Sequence, residues 1–168
     1  RNIMNDIEII DNFLPESEFK FVSDSILNNE WFPWFLNHGV TESNITELNK
    51  MHYCFCHNFY KNQAPTSDNY TILSPIIKKL DVKSLLRCKA NLFYRTKDII
   101  EHGSHADFNY PHKGALLNLT TNNGYTIFDG KQYKSIANQM IIFDTSKPHA
   151  STTCTDAELR SNIIINYF

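Results

Sequence analysis

The sequence lacks the features that mark several special classes of protein. No apolar run reaches the roughly 18 to 20 residues that a membrane-spanning helix requires, so we predict no membrane insertion. There is no excess of basic residues either: 16 Lys and Arg stand against 18 Asp and Glu in 168 residues, a net charge of −2. Because nucleic-acid binding requires a basic surface, we expect no nucleic-acid partner.

Cysteine is scarce and is not arranged as in a zinc ribbon. Cys54 and Cys56 form a C-x-C pair, and the other two cysteines, Cys88 and Cys154, form no second pair. We therefore expect reduced, partly buried thiols, as is typical of a cytoplasmic protein. A structural disulfide or a metal site at these cysteines is the alternative.

Glycine is also scarce, with five residues, whereas aromatic residues make up 13% of the chain, a composition suited to a packed β core. Short β-type runs separated by turn signals such as Asn122-Asn123-Gly124 and Asp129-Gly130 fill the chain from residue 84 onward. Many short strands at this spacing predict a sandwich, jelly roll or barrel. The predicted strands are 86–95, 113–120, 125–128, 131–136, 139–144, 149–154 and 160–167.

The N-terminal half has a different pattern. Pro15 is predicted to begin a helix, because Phe19, Val22 and Ile26 follow it at helical spacing. A second helix is predicted over 70–80, with Pro75 either interrupting it or marking its start. Both helices are expected to pack on one face of the sheet. Since no linker or repeat divides the chain, we predict one domain over residues 1–168.

One short segment contains residues suited to metal binding. His105 and Asp107 are two positions apart, so in extended backbone both side chains point to the same side. His149, at the start of a predicted strand, is the best candidate for a third ligand. Two histidines and one carboxylate on one face of an octahedron form the facial triad of non-haem iron(II) oxygenases.

Arg160 follows His149 by eleven residues and precedes the apolar run Ile163-Ile164-Ile165. A guanidinium that enters a buried strand needs an anion. Its planar geometry is suited to a carboxylate held through two hydrogen bonds. An ion pair with Glu158 would remove this need and is the competing interpretation.

The order His105-x-Asp107, His149 and Arg160 resembles the signature of the 2-oxoglutarate/Fe(II)-dependent dioxygenase superfamily, in particular its small prolyl-4-hydroxylase-like members. The resemblance implies a mainly β fold, a double-stranded β-helix or jelly roll with N-terminal helices packed on one sheet. It implies Fe(II) and O₂, with 2-oxoglutarate as co-substrate, and further co-substrate contacts from Tyr94, Asn118 and Asn162. The implied reaction is hydroxylation of an amino-acid side chain in a small molecule or peptide, with prolyl groups among the candidates.

Two other functions fit part of this pattern. A cupin-like metal-binding or sensor module would use the same ligands without turnover, and two histidines with one carboxylate also serve zinc hydrolases. Neither function explains Arg160. The sequence does not indicate the oligomeric state or the substrate, for which we expect the loops 37–50, 61–69 and 108–113 to form the mouth of the site.

The other histidines and several aromatic residues are given less specific roles. His102 competes with His105 as a ligand, but it has no carboxylate two positions later. His112 is predicted to be an exposed loop residue. We interpret three histidines as structural, namely His38, His52 and His57. Core packing is favoured for the cluster from Trp31 to Phe35, although Trp31, Trp34, Phe108 and Tyr110 are also candidates for an aromatic wall beside the site.

Overall fold

The computed structural model describes residues 7–41 and 52–168. Most of the predicted 37–50 loop lies outside this range. Eleven strands are present: β1 Glu8–Ile10, β2 Phe35–Asn37, β3 Cys54–Lys61, β4 Ala64–Pro65, β5 Leu85–Tyr94, β6 Lys113–Asn118, β7 Asn122–Phe128, β8 Lys131–Ser135, β9 Met140–Asp144, β10 His149–Ser151 and β11 Leu159–Tyr167. The helices are α1 Glu16–Leu27 and α2 Ser74–Leu80, and a 3-10 helix, Asp68–Leu73, leads into α2.

The strands form a large and a small antiparallel sheet. The large sheet has the order β1-β9-β6-β11-β5-β3-β2, with β4 paired to β3, and the small sheet has the order β10-β7-β8. Phe128 of the small sheet and Leu116, Ile141, Phe143 and Ile164 of the large sheet form one apolar cluster between the two sheets. The predicted jelly roll is therefore confirmed, and the seven strands predicted after residue 84 all exist.

The helices cover the opposite face of the large sheet. Val22 and Ile26 are the buried residues of α1, and Ile76 is buried in α2. Pro75 lies in the first turn of α2, so it marks the start of that helix. These side chains join a second, larger core with residues from the outer face of the sheet, including Cys88, Ala90, Ala115, Leu117, Met140, Ile163 and Ile165.

Alternate residues of the central strands point to opposite faces of the sheet. In β11, Ile163 and Ile165 face the helices, whereas Asn162 and Ile164 line the cavity between the sheets. In β5, Cys88 and Ala90 face the helices, and the intervening residues Arg87, Lys89, Asn91 and Phe93 line the cavity. The inner face of these strands is consequently polar.

The remaining predictions about packing have mixed outcomes. All four cysteines are free and buried, as expected. Within the aromatic cluster, Phe32 is buried and Trp34 packs against the larger core, whereas Trp31 is 83% exposed. Phe35 is 60% exposed. The core interpretation is therefore wrong for Trp31 and Phe35, and Trp34 is not available for an aromatic wall beside the cavity. In the part of the chain that the structure describes, no helix is long and apolar enough to cross a membrane.

Candidate functional site

Backbone hydrogen bonds hold His105 and His149 directly opposite each other. The His105 amide donates to the His149 carbonyl and the His149 amide donates to the His105 carbonyl, both at 2.9 Å. Residues directly opposite in such an antiparallel bridge project from the same face. The two imidazole centroids are accordingly 4.6 Å apart.

In each of these two histidines, Nδ1 contacts a backbone carbonyl. His105 Nδ1 lies 3.3 Å from the Gly103 carbonyl, and His149 Nδ1 lies 3.0 Å from the Lys147 carbonyl. A carbonyl can only accept, so these contacts favour the Nδ1–H tautomer and leave the Nε2 lone pairs available. Burial, together with the neighbouring His149, lowers the pKa of His105 and keeps this ring neutral.

Asp107 presents a carboxylate to the two free Nε2 atoms. Its Oδ1 lies 3.9 Å from His105 Nε2 and 4.0 Å from His149 Nε2. Burial opposes ionisation, but the Arg87 guanidinium at 2.6 Å, the nearby His149 and an Asn166 amide lower the pKa of Asp107 to about 2. The ligand atoms of the three residues lie within 4.8 Å of one another. Two neutral nitrogens and one anionic oxygen converging in this way are suited to a divalent metal ion.

Arg160 is fully buried on the inner face, opposite Phe93 of β5. Its guanidinium donates to the Thr152 carbonyl at 3.1 Å and to the Thr126 hydroxyl at 2.9 Å, and it lies over the Phe93 ring. Burial lowers its pKa to about 10. Glu158 is exposed and, among residues 7–41 and 52–168, Arg160 has no carboxylate partner. Its Nε is buried and makes no hydrogen bond.

Asn162 and Asn118 lie together on the inner face. They are directly opposed across β11 and β6, and Asn162 lines the cavity. The Asn162 side chain accepts a hydrogen bond from Asn91 at 3.0 Å. The Asn118 carbonyl oxygen accepts from Ser135 at 3.3 Å, and its Nδ2 is buried without a partner. Both residues are therefore inward-facing, as their predicted roles require.

Tyr94 does not belong to this site, and its predicted role is wrong. It is 49% exposed and packs edge-on against Phe55. The reason is strand parity: Asn91 and Phe93 line the cavity, so Tyr94 must point to the opposite side.

The structure separates the competing histidines. His102 stacks on Phe93 outside the His-Asp-His group, with Nδ1 2.9 Å from the Ser151 hydroxyl. His57 is buried between the Pro33 carbonyl and the Ser67 hydroxyl, which agrees with a structural role. The exposed position predicted for His112 is wrong, because this residue is 6% exposed. Its Nε2 contacts Thr145 and Asn166, and Asn166 in turn donates a hydrogen bond to Asp107.

Four site residues were missed in the sequence: Arg87, Lys89, Asn91 and Asn166. The first three are every second residue of β5, so they face the same side, and they alternate with Cys88, Ala90 and Leu92. Such alternation is normally interpreted as a polar face in solvent, whereas here the polar face lines a cavity. Asn166 could have been found from Asn162, because residues four apart in a strand share a face.

Comparisons with known proteins found similar structures but no similar sequence. No family model and no curated protein sequence matches the chain. A 2OG-Fe(II) oxygenase family oxidoreductase from Burkholderia pseudomallei is similar in structure, with a TM-score of 0.67, 13% identity and coverage of 96% of this chain and 84% of that one. A prolyl hydroxylase from Trichoplax adhaerens, solved with a hypoxia inducible factor peptide, has a TM-score of 0.69, 15% identity and coverage of 98% and 84%. A Pseudomonas putida prolyl-4-hydroxylase has a TM-score of 0.61, 14% identity and coverage of 96% and 91%.

The chain therefore has the fold of the 2-oxoglutarate/Fe(II) oxygenases, as the sequence signature predicted. Prolyl hydroxylases are among the proteins that share it over almost the whole chain.

Proposed function

We propose that the chain is an Fe(II)- and 2-oxoglutarate-dependent oxygenase. In this proposal His105, Asp107 and His149 bind the ferrous ion. Arg160 holds the far carboxylate of 2-oxoglutarate, while Asn118 and Asn162 contribute polar contacts along the same face. The observation that carries the proposal is a buried guanidinium that has no carboxylate partner among the described residues, on the inner face of the same jelly roll as the His-Asp-His group.

The metal residues fit a ferrous ion in charge and tautomer. Both Nε2 atoms are free to donate lone pairs, and Asp107 stays ionised because Arg87 and Asn166 stabilise its carboxylate. Ligand geometry of this kind is normally maintained by outer hydrogen bonds, and Asn166 provides one at 2.8 Å.

The Arg160 environment fits a carboxylate. A buried cation is unfavourable without an anion, and among the described residues only two of the five guanidinium N–H groups donate a hydrogen bond, the Nε–H not being one of them. The Thr126 hydroxyl, which contacts Arg160, also lines the cavity next to His149. Gly124 makes room for the arginine, since a Cβ there would lie 2.6 Å from Arg160 Cδ.

Iron and 2-oxoglutarate, when bound, supply the oxidation of a substrate C–H bond to C–OH by O₂, with succinate and CO₂ as the other products. The protein groups would position the reactants: His105, Asp107 and His149 would hold the metal beside the cavity that they line, and Arg160 would orient the dicarboxylate. We propose an amino-acid side chain, free or in a peptide, as the substrate. The support is the fold shared with prolyl hydroxylases, one of them solved with a peptide.

The proposal is tested by calorimetry of 2-oxoglutarate binding to the protein loaded with Mn(II), which replaces iron without turnover. We expect binding to the unmodified protein and a loss of at least about tenfold in Arg160→Met, because a charged hydrogen-bonded pair is removed. Arg95→Met, which changes an exposed arginine just beyond the same β5 strand, is the matched control.

Failure of the unmodified protein to bind 2-oxoglutarate would contradict the proposal and favour the cupin-like sensor. Hydrolysis that depends on metal but not on O₂ would instead favour the zinc enzyme. Thermal unfolding of Arg160→Met separates loss of binding from loss of fold. Since replacing a buried, uncompensated charge by an apolar side chain is often tolerated, we expect this variant to fold.

A further inference from the structure

Lys89 lines the cavity, although neither the metal nor the co-substrate of the proposed function requires a lysine. It is on the inner face of β5 and lines the same cavity as His105, Asp107 and His149. Arg87, two positions earlier on the same face, is paired with Asp107. Two cations therefore point from one strand into the space beside the metal residues.

Within the part of the chain that the structure describes, Lys89 has no counter-ion of its own. It makes no hydrogen bond or ion pair with residues 7–41 or 52–168, and within that part of the chain the acid that acts on it is Asp107. Asp107 is already engaged by Arg87 and Asn166. The neighbouring Cys54 thiol is not an anion, because burial raises its pKa to about 11. Burial and Arg87 lower the pKa of Lys89, as expected for a cation without a partner.

The charges of the site remain unbalanced after iron and 2-oxoglutarate are counted. Among residues 7–41 and 52–168, three basic residues, Arg87, Lys89 and Arg160, stand against one carboxylate, that of Asp107. A ferrous ion adds two positive charges and the dicarboxylate adds two negative charges, so they cancel. The excess positive charge of the protein is therefore left for another ligand.

The strand register places Lys89 away from the co-substrate anchor. Arg160 is opposite Phe93, and Lys89 is four residues earlier in β5, opposite Ile164. Four residues of extended strand correspond to about 13 Å. Lys89 thus lies toward the end of the inner face that holds Asp107, Arg87 and Asn166, opposite to the end with Arg160.

We propose that Lys89, assisted by Arg87, binds an anionic group of the substrate, a carboxylate or a phosphate oxyanion, and so selects acidic substrates. This inference rests on the proposed function and specifies its substrate class. A lysine provides a point charge that can donate to either oxyanion. Among the described residues, Arg87 contacts Asn166 through Nε and Asp107 through one terminal nitrogen, so its other terminal nitrogen is left to donate to the same anion.

The test uses pairs of small probes, one anionic and one neutral in each pair, with the protein loaded with Mn(II) and saturated with 2-oxoglutarate. The pairs are N-acetylglycine and its primary amide, N-acetyl-L-proline and its primary amide, and N-acetyl-O-phosphoserinamide and N-acetylserinamide. The enhanced relaxation of probe protons by Mn(II) reports binding next to the metal and requires no turnover. The first two pairs test a carboxylate and the third tests a phosphate.

We expect at least one anion to bind about tenfold more tightly than its neutral partner, the effect of one charge-assisted hydrogen bond. The preference should disappear in Lys89→Met and persist in Lys89→Arg. It should also persist in Lys83→Met, which removes an exposed lysine from the same part of the chain.

Three results would overturn the inference while leaving the proposed function intact. They are equal binding within every pair, a preference that survives in Lys89→Met, and a loss of 2-oxoglutarate binding in Lys89→Met comparable to that in Arg160→Met. The last would assign Lys89 to the co-substrate. Absence of 2-oxoglutarate binding to the unmodified protein would overturn the proposed function itself, and this inference with it.

Discussion

The two faces of the central strands use the same backbone for opposite purposes. On the outer face, Ala90, Leu117, Ile163 and Ile165 are buried under the helices and form the main core. On the inner face, alternate residues of the same strands are Lys89, Asn91, Asn162 and Arg160, a set that a stability argument alone would not place in an interior. The comparison shows that alternate residues of β5 and β11 have different roles: one set packs in the core under the helices, and the other set lines the candidate site.

The two faces also differ in how completely their polar groups are satisfied. On the outer face, the buried polar side chains of His57 and Ser161 have hydrogen-bond partners. On the inner face, the Asp107 carboxylate is held by Arg87 and Asn166, whereas Arg160 Nε and Asn118 Nδ2 have no hydrogen bond. Since buried unpaired donors are unfavourable, the part of the inner face around these atoms is the part that a bound anion would stabilise.

The largest effect is expected from Asp107→Ala, on the inner face. Removing the single carboxylate of the triad should abolish succinate formation and weaken Mn(II) binding by more than about a hundredfold, since changes to outer-layer partners alone cost 10- to 100-fold. Succinate release and Mn(II) titration followed by electron paramagnetic resonance provide the measurements. Normal turnover by this variant would rule out the triad.

Ile163→Ala tests the outer face. This side chain is fully buried against the helices, so truncation should lower the free energy of unfolding by about 2 to 5 kcal/mol. Denaturation in urea measures the loss. Mn(II) affinity should not change at a temperature where the variant is folded, and a large drop in affinity would show that the two faces are coupled.

His102, which stacks on Phe93 of the inner face, should make the free energy of unfolding depend on pH. Burial, His52 and Arg160 lower its pKa to about 3. A histidine with a lowered folded-state pKa contributes stability that is complete above its unfolded pKa of about 6.5 and is lost as the pH falls toward 3. The expected loss is about 1.4 kcal/mol per pH unit, or roughly 3 kcal/mol between pH 6.5 and 4.

The corresponding variant is His102→Phe, which keeps a ring beside Phe93. Its stability, measured by urea denaturation without metal at each pH, should fall less steeply with acid than that of the unmodified protein. Parallel pH profiles for the two proteins would contradict the assignment of a neutral, buried imidazole.

The smallest effect is expected from Asn166→Leu. Asn166 donates to Asp107 at 2.8 Å and contacts Thr145 and His112, so it orients the carboxylate without being one of the ligands. Its loss should weaken Mn(II) binding about tenfold, the lower end of the range for such partners. An unchanged Mn(II) affinity would indicate that Arg87 alone positions Asp107.

The sequence predicted the fold well because its strands are short, alternate clearly and are separated by turn residues. It also predicted that His105, Asp107 and His149 would meet, since i, i+2 spacing brings the first two side chains together. The role of Tyr94 was implied by the family resemblance, in which the strand before the H-x-D motif supplies a hydroxyl. The resemblance does not specify which of the adjacent residues Phe93 and Tyr94 faces inward. Lys89 was missed because an alternating lysine is normally solvent-exposed, and only the small sheet converts that face into a cavity wall.

The position of His112 could not be derived locally either. Its burial depends on Thr145 and Asn166, which are 33 and 54 residues away along the chain. Contacts of this range are set by the strand order of the large sheet, which no local pattern specifies.

The most direct test of the account is a crystal structure of the protein grown with Mn(II) and 2-oxoglutarate in the absence of O₂. We expect one metal ion bound by His105 Nε2, His149 Nε2 and Asp107 at about 2.0 to 2.3 Å, with the far carboxylate of 2-oxoglutarate on Arg160. A metal bound elsewhere, or a dicarboxylate that does not contact Arg160, would contradict it.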